Sequence, residues 1–169
     1  MKKIITLGLL TISIHSFAEG NNLYLGGAAG FGWNTVQTPD ATFRINGGFN
    51  VSDNWAFEVG DTILTQSGSN PNQGMQYYDL SIKGTVSFAE SLDGFIQLGG
   101  AYGTPSYVSS ASNTSSGIGT AGWNFLTGLG VDFIVTHEVS LNVSDLYYYG
   151  SPTPQGNTNV LLGGIKFSF

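Results

Sequence analysis

Apolar and polar side chains alternate along most of this chain with a period of two residues. In segment 76–88, for example, Tyr78 and Leu80 share one face while Asp79 and Lys83 share the other. Alternation of this kind is typical of a β-strand with one apolar and one polar face. It predicts eight strands, at residues 23–33, 41–51, 55–64, 76–88, 95–103, 121–135, 139–149 and 159–169. Strands of about ten residues are long enough to cross a lipid bilayer. The chain is therefore predicted to be all-β.

The connections between these strands alternate between short and long. Tight turns are predicted at 52–54, 89–94 and 136–138, and longer connections rich in Ser, Thr, Asn, Gly and Pro at 34–40, 65–75, 104–120 and 150–156. Aromatic residues fall near the strand ends, as the interfacial girdles of a membrane barrel do: Trp33, Trp55, Tyr78, Phe88, Tyr102, Trp123, Tyr147, Tyr149 and Phe169. The pattern favours an eight-stranded antiparallel up-and-down transmembrane β-barrel, with both termini on the short-turn side.

Composition narrows the class of protein. Charged residues make up 9% of the chain, against roughly 25% in ordinary soluble domains, while aromatic residues make up 13% and there are 25 glycines. After residue 18 there are three basic residues against 11 acidic ones, a formal charge of −8, which excludes nucleic-acid binding. There is no cysteine for a disulfide. A soluble lipocalin-like barrel or β-sandwich stays open, because alternation alone does not tell which face points outward.

The N-terminus has the features of a secretory signal peptide. Lys2 and Lys3 precede an apolar run at 4–14, and small residues at Ser16 and Ala18 precede the expected cleavage site. We therefore expect Sec-type export, a signal peptide at 1–18 and a single barrel domain at 19–169. No later run of about 18 apolar residues is present, so the sequence does not predict a membrane-spanning helix.

Several segments carry a resemblance to a known family. LYLGGAAGFGW, FRINGGFNVSDNWAFEVG and FLTGLGVDFIVTHEVSLNV resemble the small OmpA/OmpX-type outer-membrane β-barrels, and the likeness extends over the whole of 19–169. It implies a location in the outer membrane. The terminal GGIKFSF, with Phe167 and Phe169, resembles the C-terminal aromatic signal that the outer-membrane insertion machinery recognises in this class. No peptidoglycan-binding domain follows in this sequence, so the resemblance does not imply anchoring to the cell wall.

The polar face of the strands predicts a network of charges inside the barrel. It contains Arg44, Glu58, Asp79, Lys83, Asp132 and Lys166. Eight strands enclose an interior that side chains fill, and buried charges need partners. We therefore expect Glu58 to pair with Lys83 or Arg44. A network of this kind fills and stabilises the core; an ion-conducting role is the alternative.

Asp61 and Asp145 break the pattern, because they fall on the apolar face of their strands. Three interpretations apply: a β-bulge that reverses the alternation, a position already in the lipid headgroup layer, or a contact with a partner. Acidic residues on the lipid face cost little near the interface, which favours the second.

No catalytic, cofactor-binding or metal-binding site is predicted. His137 stands beside Glu138 in a tight turn, which fits turn chemistry better than catalysis, and GGAAGFG has no following helix that could hold a phosphate. We expect a monomer that contacts outer-membrane lipid or lipopolysaccharide, and the insertion machinery through its last strand. Its expected role is structural or surface interaction, namely membrane integrity or adhesion to a host or cell-surface ligand through the loops. The alternatives are a narrow porin for small solutes and a lipid A-modifying enzyme.

Overall fold

The described residues form eight β-strands in a closed barrel. The computed structural model describes residues 22–34, 40–65, 73–107, 121–150 and 157–169. The strands are β1 (Leu23–Asn34), β2 (Asp40–Ser52), β3 (Trp55–Leu64), β4 (Gln73–Ala89), β5 (Leu92–Tyr107), β6 (Gly122–Ile134), β7 (Val139–Tyr149) and β8 (Thr158–Ser168). All eight predicted strands are confirmed. The predicted signal peptide at 1–18 lies outside the described residues, as does most of each long connection.

Each strand pairs antiparallel with the next, and β8 pairs with β1 to close the ring. The last residue takes part in this closure, since the backbone N–H of Phe169 donates to the carbonyl of Leu23 at 2.8 Å. A closed ring leaves no sheet edge with unpaired backbone groups, which is the condition for crossing a bilayer with strands. The predicted up-and-down barrel is confirmed. Among the described residues there is no helix long and apolar enough to span a membrane.

The hairpin of β4 and β5 is longer than the sequence indicates. Its ladder runs from the pair Gln73 and Tyr107 to the pair Ala89 and Leu92, so the predicted turn at 89–94 contracts to residues 90 and 91. The strands also extend into the connections predicted at 65–75 and 104–120. These boundaries were wrong because Gly, Ser and Pro residues suggest a loop, whereas two antiparallel segments satisfy each other's backbone groups whatever their side chains.

The apolar faces of the strands point outward. Phe88 is 69% exposed and Trp123 is 75% exposed, while the polar inner-face residues Thr42 and Asp132 are buried. This arrangement is the inverse of a soluble barrel and matches a wall that faces lipid. The lipocalin-like alternative is therefore wrong.

The barrel has two ends that differ in their connections. We call the end with the tight turns at 53–54, 90–91 and 135–138 the turn end; the chain termini of the barrel also lie there. The opposite end, with the longer connections, is the loop end. In outer-membrane barrels short turns face the periplasm and longer loops face the exterior.

Candidate functional site: the barrel lumen

Four inward side chains on neighbouring strands form a buried cluster in the middle of the lumen, which we call the Arg44 cluster. Arg44 Nη2 lies 3.1 Å from Glu58 Oε1 and donates to Asp79 Oδ1 at 2.9 Å, while Nη1 donates to the second Asp79 oxygen. Nη1 also donates to Thr62 Oγ1 at 2.7 Å. The planar guanidinium group thus binds Asp79 through both nitrogens, the geometry in which arginine pairs most strongly with a carboxylate.

Two neutral side chains also donate hydrogen bonds to the Glu58 carboxylate. Tyr24 Oη donates to Glu58 Oε2 at 2.8 Å, and Gln97 Nε2 donates to Glu58 Oε1 at 3.0 Å. Gln97 Nε2 also donates to Ser81 Oγ at 2.6 Å. Both Glu58 oxygens therefore have partners, as a buried carboxylate requires. With one cation and two carboxylates, the Arg44 cluster carries a formal charge of −1.

A second cluster, which we call the Lys83 cluster, lies closer to the turn end. Lys83 Nζ is 3.2 Å from Asp132 Oδ2, and Lys166 Nζ donates to the same oxygen. Asn142 Nδ2 donates to Asp132 Oδ1 at 2.6 Å, and the Lys83 ammonium also lies 3.7 Å from the centre of the Phe95 ring. This cluster carries a formal charge of +1, so the two clusters balance each other along the barrel axis.

All six charged residues predicted for the lumen point inward, and the structure groups them into these two clusters. It brings Glu58 to Arg44, whereas the ion-pair partner of Lys83 is Asp132. Sequence reasoning missed Tyr24 and Gln97, the neutral donors to Glu58. Their inward position on the strands was the only signal available, because neither side chain carries a charge.

Above the Arg44 cluster, towards the loop end, apolar and tyrosine side chains fill the lumen. The rings of Tyr77 and Tyr148 stack with their centres 4.2 Å apart. Tyr148 Oη lies 2.9 Å from Thr62 Oγ1, and Tyr77 Oη lies 2.9 Å from Thr158 Oγ1, so both hydroxyls have partners. We call this layer the apolar plug; its buried members are Leu64, Met75, Tyr77, Ala101, Leu126, Leu146, Tyr148, Val160 and Leu162.

The turn end of the lumen is open by contrast. A vestibule of about 430 Å³, lined by Tyr24 and the Lys83 cluster among others, leads inward from this end. A separate cavity of about 30 Å³ lies deeper, beside Arg44, Glu58 and Lys83. A cavity of this size has room for one or two water molecules. Within the described part of the chain, the plug closes the path beyond the Arg44 cluster.

The aromatic residues predicted for the girdles lie on the outer wall at both ends. Those near the loop end are Trp33, Tyr78, Tyr102, Trp123, Tyr147 and Tyr149, and those near the turn end are Trp55, Phe88 and Phe169. Tyr102 and Trp123 pack edge to face, with their ring centres 5.3 Å apart. Amphipathic rings at these levels are typical of the two membrane–water interfaces.

The outward acids Asp61 and Asp145 lie in regular ladders. The strand register is continuous across both residues, so the interpretation of a β-bulge is wrong. Both oxygens of Asp61 accept from Gln76 Nε2 on the adjacent strand, at 2.9 and 3.0 Å. Asp61 lies level with the girdle residues Tyr78 and Tyr102, which fits a position at the headgroup layer, whereas Asp145 lies between the apolar residues Leu129 and Leu161 near the middle of its strand.

His137 lies in the exposed turn at 135–138. In this turn Thr136 Oγ1 accepts from the backbone N–H groups of Glu138 and Val139, at 3.2 and 3.1 Å. Hydrogen bonds of this type are ordinary turn chemistry for threonine. Among the residues that the structure describes, no group of three or more His, Cys, Asp or Glu side chains is placed to hold a metal ion.

Comparison with known proteins identifies relatives of this barrel. The model of the OmpA-like transmembrane domain matches residues 18–150. Neisserial surface protein A superposes with a TM-score of 0.71 at 14% identity, covering 87% of this chain and 96% of that one. No curated protein matches in sequence.

Two further solved barrels are similar in fold. The N-terminal domain of Pseudomonas aeruginosa OprF has a TM-score of 0.62 at 14% identity, covering 86% of this chain and 97% of that one. The attachment invasion locus protein Ail of Yersinia pestis has a TM-score of 0.57 at 14% identity, with coverage of 88% and 97%. At these identities the likeness concerns the fold alone.

Proposed function

Since this chain belongs to the OmpA-like transmembrane domain family, we propose that it is an outer-membrane barrel that acts through its outer wall and its loop-end surface. The role is membrane integrity or surface contact, with neither conduction nor catalysis in the lumen. One observation carries the proposal: the stacked rings of Tyr77 and Tyr148, both 1% exposed or less, fill the lumen together with the rest of the apolar plug. A lumen filled by packed side chains leaves no path for hydrated ions.

Single-channel recording in planar phospholipid bilayers tests this proposal. The intact barrel is expected to give no steady openings. A double variant with Tyr77→Ser and Tyr148→Ser removes the ring stack and is expected to conduct. Steady openings of the unaltered protein would instead support a narrow porin. That alternative is favoured by the vestibule, which leads to Lys83 from the turn end.

The surface role is supported by the composition of the longer connections. Of their residues at 34–40, 65–75, 104–120 and 150–156, Asp40 is the one charged residue. Ail has been crystallised with the heparin analogue sucrose octasulfate. A polyanion of that kind is disfavoured here, because the connections offer no cation to bind it. We propose a neutral partner held by hydrogen bonds to Ser, Thr and Asn side chains.

Adhesion of cells that display the protein tests the surface role. Replacing 108–120, the part of this connection beyond the end of β5, by a Gly–Ser linker of equal length is expected to reduce adhesion to host cells, while heat-modifiable gel migration still shows a folded barrel. Replacing 150–156 in the same way is the control for loop exchange as such. Unchanged adhesion after both exchanges would leave membrane integrity, measured as detergent sensitivity of a deletion strain, as the role.

A catalytic role rests on His137, the one histidine after residue 18. Its place in an exposed turn, beside hydrogen bonds typical of turns, supports a non-catalytic residue. Lipid A analysis with and without the protein is expected to show no change in acyl chains. A changed acyl pattern that disappears in His137→Ala would overturn this.

We also propose that the last strand carries the signal for the insertion machinery. The hydrogen bond from Phe169 to Leu23, where β8 closes the barrel against β1, adds a single contact to a ladder that already extends along β8. Deleting Phe169 is therefore expected to slow insertion more than it lowers the stability of the inserted barrel. Normal outer-membrane insertion of the deletion would contradict this proposal.

A further inference from the structure

An apolar groove lies on the outer wall near the turn end, across β3, β4, β5 and β6. Two outward glycines form its floor, and the larger side chains around it form its sides. Its volume is about 570 Å³. None of the twelve residues that line it is charged.

The strand register explains why the wall is hollow here. Gly84 lies between Trp55 on one side and Ile96 on the other, and in the next outward row Gly94 lies between Val86 and Val131. In each row the glycine stands where its neighbours carry a large apolar side chain. The Trp55 ring extends over Gly84 and the Phe88 ring over Gly94, so both rings lie low against the wall and the groove runs between them.

The two aromatic rings at the ends of the groove lean over the glycines. A Cβ added at Gly84 would lie 3.1 Å from Trp55 Cζ3, and one added at Gly94 would overlap the Phe88 ring. The rings therefore lie close to the wall, and a long apolar group can rest between them. Trp55 is 55% exposed and Phe88 is 69% exposed, so neither ring is covered by the barrel itself.

From this geometry we propose that the groove binds an acyl chain of a phospholipid in the periplasmic leaflet. Three observations select this occupant. The groove is continuous with the lipid-facing wall, its lining carries no charge that a protein partner would pair with, and it lies at the turn end, which faces the periplasm. The polar atoms of its lining are at that end too, where Asn54 Nδ2 donates to the Thr85 carbonyl at 3.0 Å.

In a membrane, an acyl chain gains no hydrophobic free energy by moving from bulk lipid to a protein wall. Preference for the groove must come from packing, because a chain held between Trp55 and Phe88 makes dispersion contacts with fixed atoms on several sides. A larger protein side chain that fills the groove excludes the acyl chain and removes these contacts. The loss of roughly ten atom–atom contacts lowers retention about fivefold.

Native mass spectrometry of the purified barrel, extracted from phosphatidylethanolamine and phosphatidylglycerol vesicles into a mild detergent, tests the proposal. The unaltered protein is expected to retain one phospholipid. Gly84→Leu and Val86→Trp place a larger side chain at two different positions in the groove. Each is expected to reduce retention of the phospholipid about fivefold. Gly163→Leu and Val143→Trp add the same side chains elsewhere on the outer wall, and both are expected to leave retention unchanged.

A second measurement locates the lipid. With Trp33→Phe and Trp123→Phe, Trp55 is the sole tryptophan, and brominated acyl chains are expected to quench it less effectively in Gly84→Leu. Heat-modifiable migration verifies that every variant is folded. The proposal is overturned if the unaltered barrel retains no lipid, or if all four variants lose it equally. It is also overturned if the barrel forms a dimer that Gly84→Leu dissociates, because a second copy would then occupy the groove.

Discussion

The two halves of the lumen are filled by different kinds of side chain. Towards the loop end, stacked tyrosines and aliphatic side chains pack as in a soluble core. Towards the turn end, Lys83, Asp132 and Lys166 form an ion cluster beside a vestibule of about 430 Å³. The Arg44 cluster lies between them, enclosed like the first half and charged like the second. Exposure to water therefore decides how much each charge contributes to stability.

The largest effect is expected at the boundary between the halves. Arg44→Met removes the cation that binds both Glu58 and Asp79 and leaves two buried carboxylates without it. Breaking a buried ion pair by removing one partner costs about 3–5 kcal/mol. Equilibrium unfolding by urea in phospholipid vesicles, followed by tryptophan fluorescence, measures the change. A loss below about 1 kcal/mol, the range of exposed pairs, would mean that water in the neighbouring cavity solvates the carboxylates.

The barrel could be predicted from the sequence because apolar and polar residues alternate along each strand. In the folded barrel this alternation becomes the outward and inward faces of every strand. Arg44, Glu58 and Asp79 could be placed inside for the same reason. Their pairing could not be fully predicted, because it depends on the stagger of neighbouring strands. Asp79 lies opposite Gly60 on β3, and the side chain of Arg44 fills the space that Gly60 leaves free.

The plug was the part that sequence reasoning did not foresee. Leu126 and Leu146 fall on the inward face among polar residues, and the period-two pattern assigns that face to a polar lumen. Only the closed ring shows that inward residues from the six strands β3 to β8 meet in one layer. The packing of an eight-stranded interior thus adds information that no single strand contains.

A smaller effect is expected from a change within the plug. Leu146→Ala leaves a cavity in a layer closed to solvent, and such substitutions cost about 2–5 kcal/mol. Leu141→Ala on the same strand is the matched control, because Leu141 faces outward and lipid fills the space that it vacates. The same urea titration compares the two variants. Equal losses would show that the loop-end half is not packed as a core.

The smallest effect is expected in the vestibule, from Lys166→Met. Lys166 shares Asp132 Oδ2 with Lys83, and Asn142 donates to the other oxygen, so the carboxylate keeps two partners after the substitution. The side chain of Lys166 is also 19% exposed, whereas that of Arg44 is 4% exposed. A partly solvated pair with a remaining partner is expected to contribute less than about 1 kcal/mol. Raising the salt concentration should shrink this difference further, because ions reach the open vestibule and screen the charges there, while the effect of Arg44→Met should stay constant. If Lys166→Met costs as much as Arg44→Met, the vestibule is not hydrated and the two halves of the lumen are equally closed to water.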